Sequence, residues 1–199
     1  MDTYYSEDGR LDAILSLAES CDYEREHAHQ VTRLALRLFD ELEPLHRLGD
    51  EARFLLQCAA LLHDIGWIEG QQAHHKASLR LILDSTLLPF DERERLIVGS
   101  TARYHRKALP KEKHLHFAAL GPEDQDIVRV LAACIRVADG LDRTHWSVVD
   151  DLWCEILTDL IIVHCLVSDN AEQERIEALE KGQLLEQVFN RRLAIVWER

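Results

Sequence analysis

Two neighbours of unlike charge, His63 and Asp64, close the apolar stretch "FLLQCAALLHDIGW", where a helix shaped by packing alone would place neither. Imidazole nitrogen and carboxylate oxygen are both ligand types for a divalent cation. Adjacent residues on a helix stand about 100° apart, so both side chains can turn toward one ion at the helix end. Two further residues share inward faces. His27 precedes Val31 by four and Leu34 by seven, on one stripe, whereas His29 points elsewhere. Asp139 follows Ile135 by four and Ala138 by one, on or beside the core-facing side of its helix. Buried neutral imidazoles are tolerable, but two buried carboxylates are costly unless a cation or a full hydrogen-bond set compensates them. A donor set of nitrogen and oxygen without thiolate suits Mn, Fe, Co, Ni, Mg or Zn in a largely octahedral site.

Helices must deliver these groups. Leu11, Ile14, Leu15 and Ala18 recur at helical spacing, as do Val31, Leu34, Leu38 and Leu42. "DEARFLLQCAALLHDIGW" predicts a third helix, opened by Asp50 and closed near Gly66. "HHKASLRLILDSTLL" predicts a fourth, stopped by Pro89, and "DERERLIVGSTARYHR" a fifth that starts at Asp91. "GPEDQDIVRVLAACIRVADGLDRT" has Pro122 in its first turn and a long apolar face. Beyond residue 150 the pattern changes to short β-rich runs, "DLWCEIL" and "DLIIVHCLV", then the helical "NAEQERIEALEKGQLLEQVFNRR" and a strand-like "LAIVWE". The expected fold is mainly α: a helical bundle over residues 1–150 and a small β-β-α-β appendage over 151–199.

Composition narrows the function. The 199 residues include 23 basic and 36 acidic side chains, a net charge of −13, which repels polyanions and speaks against a nucleic-acid or anionic-membrane partner. A small phosphorylated ligand is compatible where positive charge is local, and Arg103, Arg106 and Lys107, with Lys111 and Lys113 beyond, form such a cluster. Five cysteines without a CxxC pair read as reduced core residues. The acidic start "MDTYYSEDGRLD" lacks the character of a signal peptide, and no apolar run approaches the roughly 20 residues of a membrane span. A cytoplasmic protein is expected. Gly-rich phosphate loops, serine elbows and Cys/His nucleophile motifs are missing, which disfavours kinase and covalent-hydrolase chemistry.

The pattern of a helical His27, a His63-Asp64 pair and a distant Asp139 resembles the HD superfamily of metal-dependent phosphohydrolases. More closely, "EHAHQVTRLALRLFDEL", "CAALLHDIGWI", "HHKAS", "YHRK" and "RVADGLDR", in this order, resemble the C-terminal domain of the exopolyphosphatase/guanosine pentaphosphate phosphohydrolase (Ppx/GppA) family. In that family the polyphosphatase site belongs to an actin-like region that is not among these residues, so only the HD-type site is expected to carry over. The resemblance implies one or two divalent ions: Asp64 bridging, His27, His63 and Asp139 completing the first site, and His75 with His105 completing the second. His74 is the alternative to His75, which is preferred because Ser78 completes an HxxS pattern. His63 and Asp64 are the expected catalytic residues. Arg103, Arg106 and Lys107 are the expected substrate contacts, while Asp142 fits a helix-end or supporting role as well as a ligand. His29, His46, His114, His116, His145 and His164 read as ordinary histidines. The implied activity is phosphohydrolysis of a small compound or nucleotide. The rival is a non-catalytic regulatory or nucleotide- or polyphosphate-sensing module that works with a partner phosphatase; the partner expected besides the small phosphorylated substrate is a second copy in a homodimer or that phosphatase.

Overall fold

The computed structural model describes residues 9–168 and 170–198. Residues 9–141 form helices without a strand: α1 (Gly9–Ser20), α2 (Arg25–Glu41), the short α3 (Glu43–His46), α4 (Asp50–Leu61), α5 (His74–Asp84), α6 (Glu92–Arg103), the short α7 (Leu115–Ala118) and α8 (Pro122–Leu141). Pro122 occupies the first turn of α8, where its missing N–H costs nothing. From Val128 onward almost every α8 residue is buried, because α2, α4 and α6 pack around it while α9 (Glu172–Lys181) and α10 (Gln183–Phe189) cover its remaining side. A helix apolar on all sides belongs at the centre of a bundle. The start of α6 is set by a capping box in which Asp91 Oδ1 accepts from Glu94 N–H at 2.8 Å and Glu94 Oε2 from Asp91 N–H at 3.0 Å.

The strands are β1 (Val149–Ile156), β2 (Leu160–Val167) and β3 (Arg192–Glu198). Strands β1 and β2 form an antiparallel hairpin, and β3 joins β2 in parallel after the α9–α10 crossover. The chain is therefore mainly α with a small β-β-α-β appendage, as the sequence predicts, except that the single helical run expected after residue 170 breaks at Gly182 into α9 and α10. The outer edge of β1 is covered by side chains of α2. Gln30 Nε2 donates to the Val149 carbonyl at 2.7 Å, Arg33 Nη1 to that of Asp150 at 2.6 Å and Arg37 Nε to that of Leu152 at 3.0 Å. An open edge is thereby satisfied within the chain.

Two glycines set distances that matter to the site. A Cβ on Gly66 would lie 2.1 Å from the His74 carbonyl oxygen, so only glycine lets the turn after α4 press onto α5. A Cβ on Gly140 would lie 2.4 Å from Ala178 Cα, which fixes α9 against the end of α8. The five cysteines are free, and among the described residues no helix is long and apolar enough to cross a membrane.

Candidate metal centre

Five helices and one 3-10 turn converge on Asp64. α2 carries His27; the end of α4 and the 3-10 turn Ile65–Glu69 flank His63 and Asp64; α5 opens with His74; His105 follows α6; Asp139 and Asp142 sit at the end of α8. The turn after α4 is stapled to α5 by Ser78, whose hydroxyl donates to the His63 carbonyl at 2.7 Å and accepts from Gly66 N–H at 3.0 Å.

Four imidazoles point one nitrogen outward and one inward. The Nδ1 atoms of His27, His63, His74 and His105 bond respectively to Asp142 Oδ2 at 2.8 Å and to the carbonyls of Ala60 at 2.6 Å, Gln71 at 3.1 Å and Ala102 at 2.7 Å. Pure acceptors at Nδ1 require a proton there, which leaves each Nε2 as the ring atom directed at the site. Asp64 divides these four between its oxygens. Oδ2 lies 3.5 Å from His63 Nε2 and 3.9 Å from His27 Nε2; Oδ1 lies 3.2 Å from His74 Nε2 and 3.4 Å from His105 Nε2. Two groups result, His27/His63/Asp64 and Asp64/His74/His105, each close enough to hold one metal ion. His27 Nε2, His63 Nε2 and Asp64 Oδ1 are buried atoms with no partner in hydrogen-bond geometry. Such atoms are rare in folded proteins unless something else satisfies them, so the donors present fit a divalent cation.

The charges agree with this arrangement. Burial alone would raise Asp64, but the surrounding His63, His74 and His105 hold it well below the usual carboxylate range. Burial would likewise raise Asp139, and the Lys181 ammonium with His27 holds it well below that range. Burial pushes His105 down to about 3, which keeps its ring neutral, with Nε2 3.4 Å from His74 Nε2. For His27 burial opposes the charge, yet Asp139 and Asp142 raise it to about 10; a cation entering beside it has to displace a proton.

These features agree with a comparison of the whole chain: a family model described as Ppx/GppA phosphatase, domain III, matches residues 10–159. The chain belongs to this family. Its helical core and the cluster around Asp64 lie within the matched segment, and β2, α9, α10 and β3 follow it.

Within this domain III chain the expected ligands fall into three classes of position. His27, His63, Asp64 and His105 come together. Asp139 is adjacent, with Oδ1 3.6 Å from His27 Nε2, but its Oδ2 is taken by Lys181 Nζ at 2.8 Å. His75 is outside both groups, and its place is taken by His74. Adjacent helical residues differ by about 100° in facing, and Ser78, which favours His75 in the HxxS pattern, lies one full turn after His74 and binds the same turn that carries Asp64. His75 is buried, edge-on to the rings of His74 and His105, and burial with nearby Arg103 pushes it down to about 4.

A cleft of about 420 Å³ opens above Asp64, His74, His105 and Asp139, and Arg106, Lys107, Arg143 and Lys181 line it with Glu177 and Glu180. Arg106 and Lys107 thus lie at the cleft. Arg103 does not: it is 7% exposed, outside the cleft lining, with its guanidinium over the Tyr104 ring. Arg103 is the last residue of α6 and faces the packed side, whereas His105 lies in the turn beyond it and faces the cleft. Arg136 binds the Lys181 and Tyr104 carbonyls rather than a carboxylate. Sequence reading missed Lys181, Trp67, which stacks on His74 with ring centres 4.8 Å apart, and His145, which stacks on His27 at 3.8 Å. The "RVADGLDRTHW" run carries His145 close to Asp142 and was the available signal for it; Lys181 had none. A larger groove of about 630 Å³ between α2 and β1 contains neither group of ligands, and its Arg33 and Arg37 are engaged by β1 carbonyls.

Proposed function

We propose that the chain is a metal-dependent phosphohydrolase that acts on a small phosphorylated compound or nucleotide. The observation that carries this reading is the division of Asp64, with one oxygen toward each pair of Nε2 atoms at the floor of a cation-lined cleft. A divalent cation held there would polarise a phosphoryl oxygen and lower the pKa of water beside it. The chain's own residues do the remainder. Asp64 supplies negative charge to both groups, and the Nδ1 bonds keep four imidazoles oriented before any ligand arrives. Arg106, Lys107 and Arg143 offer N–H donors to phosphoryl oxygens in a chain that is otherwise acidic. Trp67 and the buried rings beneath it keep one wall of the cleft apolar.

The test is a screen of metal-stripped protein, with and without added Mn, Fe, Co, Ni, Mg or Zn, against phosphomonoesters, cyclic nucleotides and guanosine pentaphosphate-type compounds. Metal-dependent turnover that Asp64→Ala abolishes supports the reading; turnover indifferent to chelator overturns it. A second reading, a sensing module that works with a partner phosphatase, is favoured by one feature, the ammonium of Lys181 lying on Asp139. It predicts saturable phosphate-compound binding without turnover.

A further inference from the structure

Asp139 and Lys181 come from different helices and meet at the cleft. Nζ lies 2.8 Å from Asp139 Oδ2, both side chains are largely buried, and the other Asp139 oxygen is 3.6 Å from His27 Nε2. Geometry around the pair is fixed rather than adaptable. Gly140 holds α8 against Ala178 of α9, and Arg136 Nε donates to the Lys181 carbonyl at 3.0 Å, so the end of α9 cannot drift from Asp139. The ammonium nevertheless has a second partner within reach: Glu177, one turn earlier on α9, has Oε1 3.3 Å from Nζ.

We propose that Lys181 is a built-in competitor for the divalent cation at Asp139, releasing that carboxylate and turning to Glu177 when the cation enters. The proposal rests on the metal reading above and adds that occupancy of the group around His27 is set by a side chain from outside it. An ammonium and a divalent ion repel one another at the distances between Asp139 and His27, and each compensates the same buried carboxylate. Removing the ammonium without removing the carboxylate should therefore favour the metal. Lys181 is a positioning residue here, acting through Asp139.

The experiment is calorimetric titration of Mn into chelator-treated protein, in a His74→Ala background so that only the group around His27 is read. Adding Lys181→Gln should tighten Mn binding by about 10-fold or more, the scale on which groups that support metal ligands act, and Lys181→Arg should restore the weaker value. A merely structural lysine would loosen binding on substitution, so unchanged or weaker Mn affinity in Lys181→Gln overturns the proposal. Should His74→Ala abolish all binding, wild type and Lys181→Gln are compared directly with the same two readings. Melting in excess chelator, measured beside the titration, establishes that each variant is folded. A wild type that binds Mn with an affinity Lys181→Gln leaves untouched removes this inference alone; no Mn binding by any variant removes the metal reading with it.

Discussion

His27 Nδ1 donates to Asp142 Oδ2 across 2.8 Å, with both side chains fully buried, and so joins α2 to the end of α8 beneath the cleft. The other Asp142 oxygen accepts from Ser147 N–H at 2.9 Å. Both Asp142 oxygens are thus engaged, and the carboxylate orients the His27 ring with Nε2 toward the candidate site.

Replacing that support has a specific consequence. Asp142→Asn removes the charge that favours an Nδ1–H on His27 and puts a donor beside it, so the affinity of the His27 group for Mn should fall by about 10–100-fold. Titration calorimetry reads the change, and retained affinity would mean that His27 is not held by Asp142 in the metal-loaded protein.

The two adjacent histidines of α5 should separate cleanly. His74 Nε2 is 3.2 Å from Asp64 Oδ1, while His75 belongs to neither ligand group. His74→Ala is expected to lose one equivalent of bound metal by elemental analysis, and His75→Ala and His29→Ala none. Loss of an equivalent in His75→Ala with full content in His74→Ala would reverse the assignment.

Ser78 ties the turn carrying Asp64 to α5 by two buried hydrogen bonds. Ser78→Ala leaves the Gly66 N–H and the His63 carbonyl without that partner, and an unmade buried bond costs about 1–3 kcal/mol. Thermal or urea unfolding should show a loss of this size together with weaker metal binding. A melting point equal to that of wild type would show that the turn is held elsewhere.

His116 gives a pH dependence away from the metal groups. Burial, reinforced by Arg103 and His114, lowers it to about 4, while an unfolded histidine titrates near 6.5. Between these values the unfolded chain binds the extra proton, so this residue makes stability rise with pH through that window and fall on acidification. His116→Gln, which keeps a partner for Ser100 Oγ, should flatten the stability curve between about pH 4 and 6.5 relative to wild type. Parallel curves would assign the acid sensitivity to other groups.

Periodicity along the chain determined the long helices of the bundle, the β-β-α-β order of the appendage, and the inward faces on which His27, His63 and Asp139 lie, because each follows from which neighbours are apolar. The His63-Asp64 pair was legible for the same reason: charge at an apolar helix end requires compensation. Tertiary structure decided what spacing leaves open. Whether His74 or His75 faces Asp64 depends on the rotation of α5 about its axis, which the contacts of Ser78 and Gly66 with the preceding turn set. Arg103 belongs to a basic cluster in sequence, yet it is buried outside the cleft with its guanidinium over the Tyr104 ring. Lys181 is 42 residues from Asp139 and on a helix whose docking on α8 depends on Gly140 and Ala178. Local sequence states which face of a helix is buried; only the packing of whole helices states which distant side chain is buried against it.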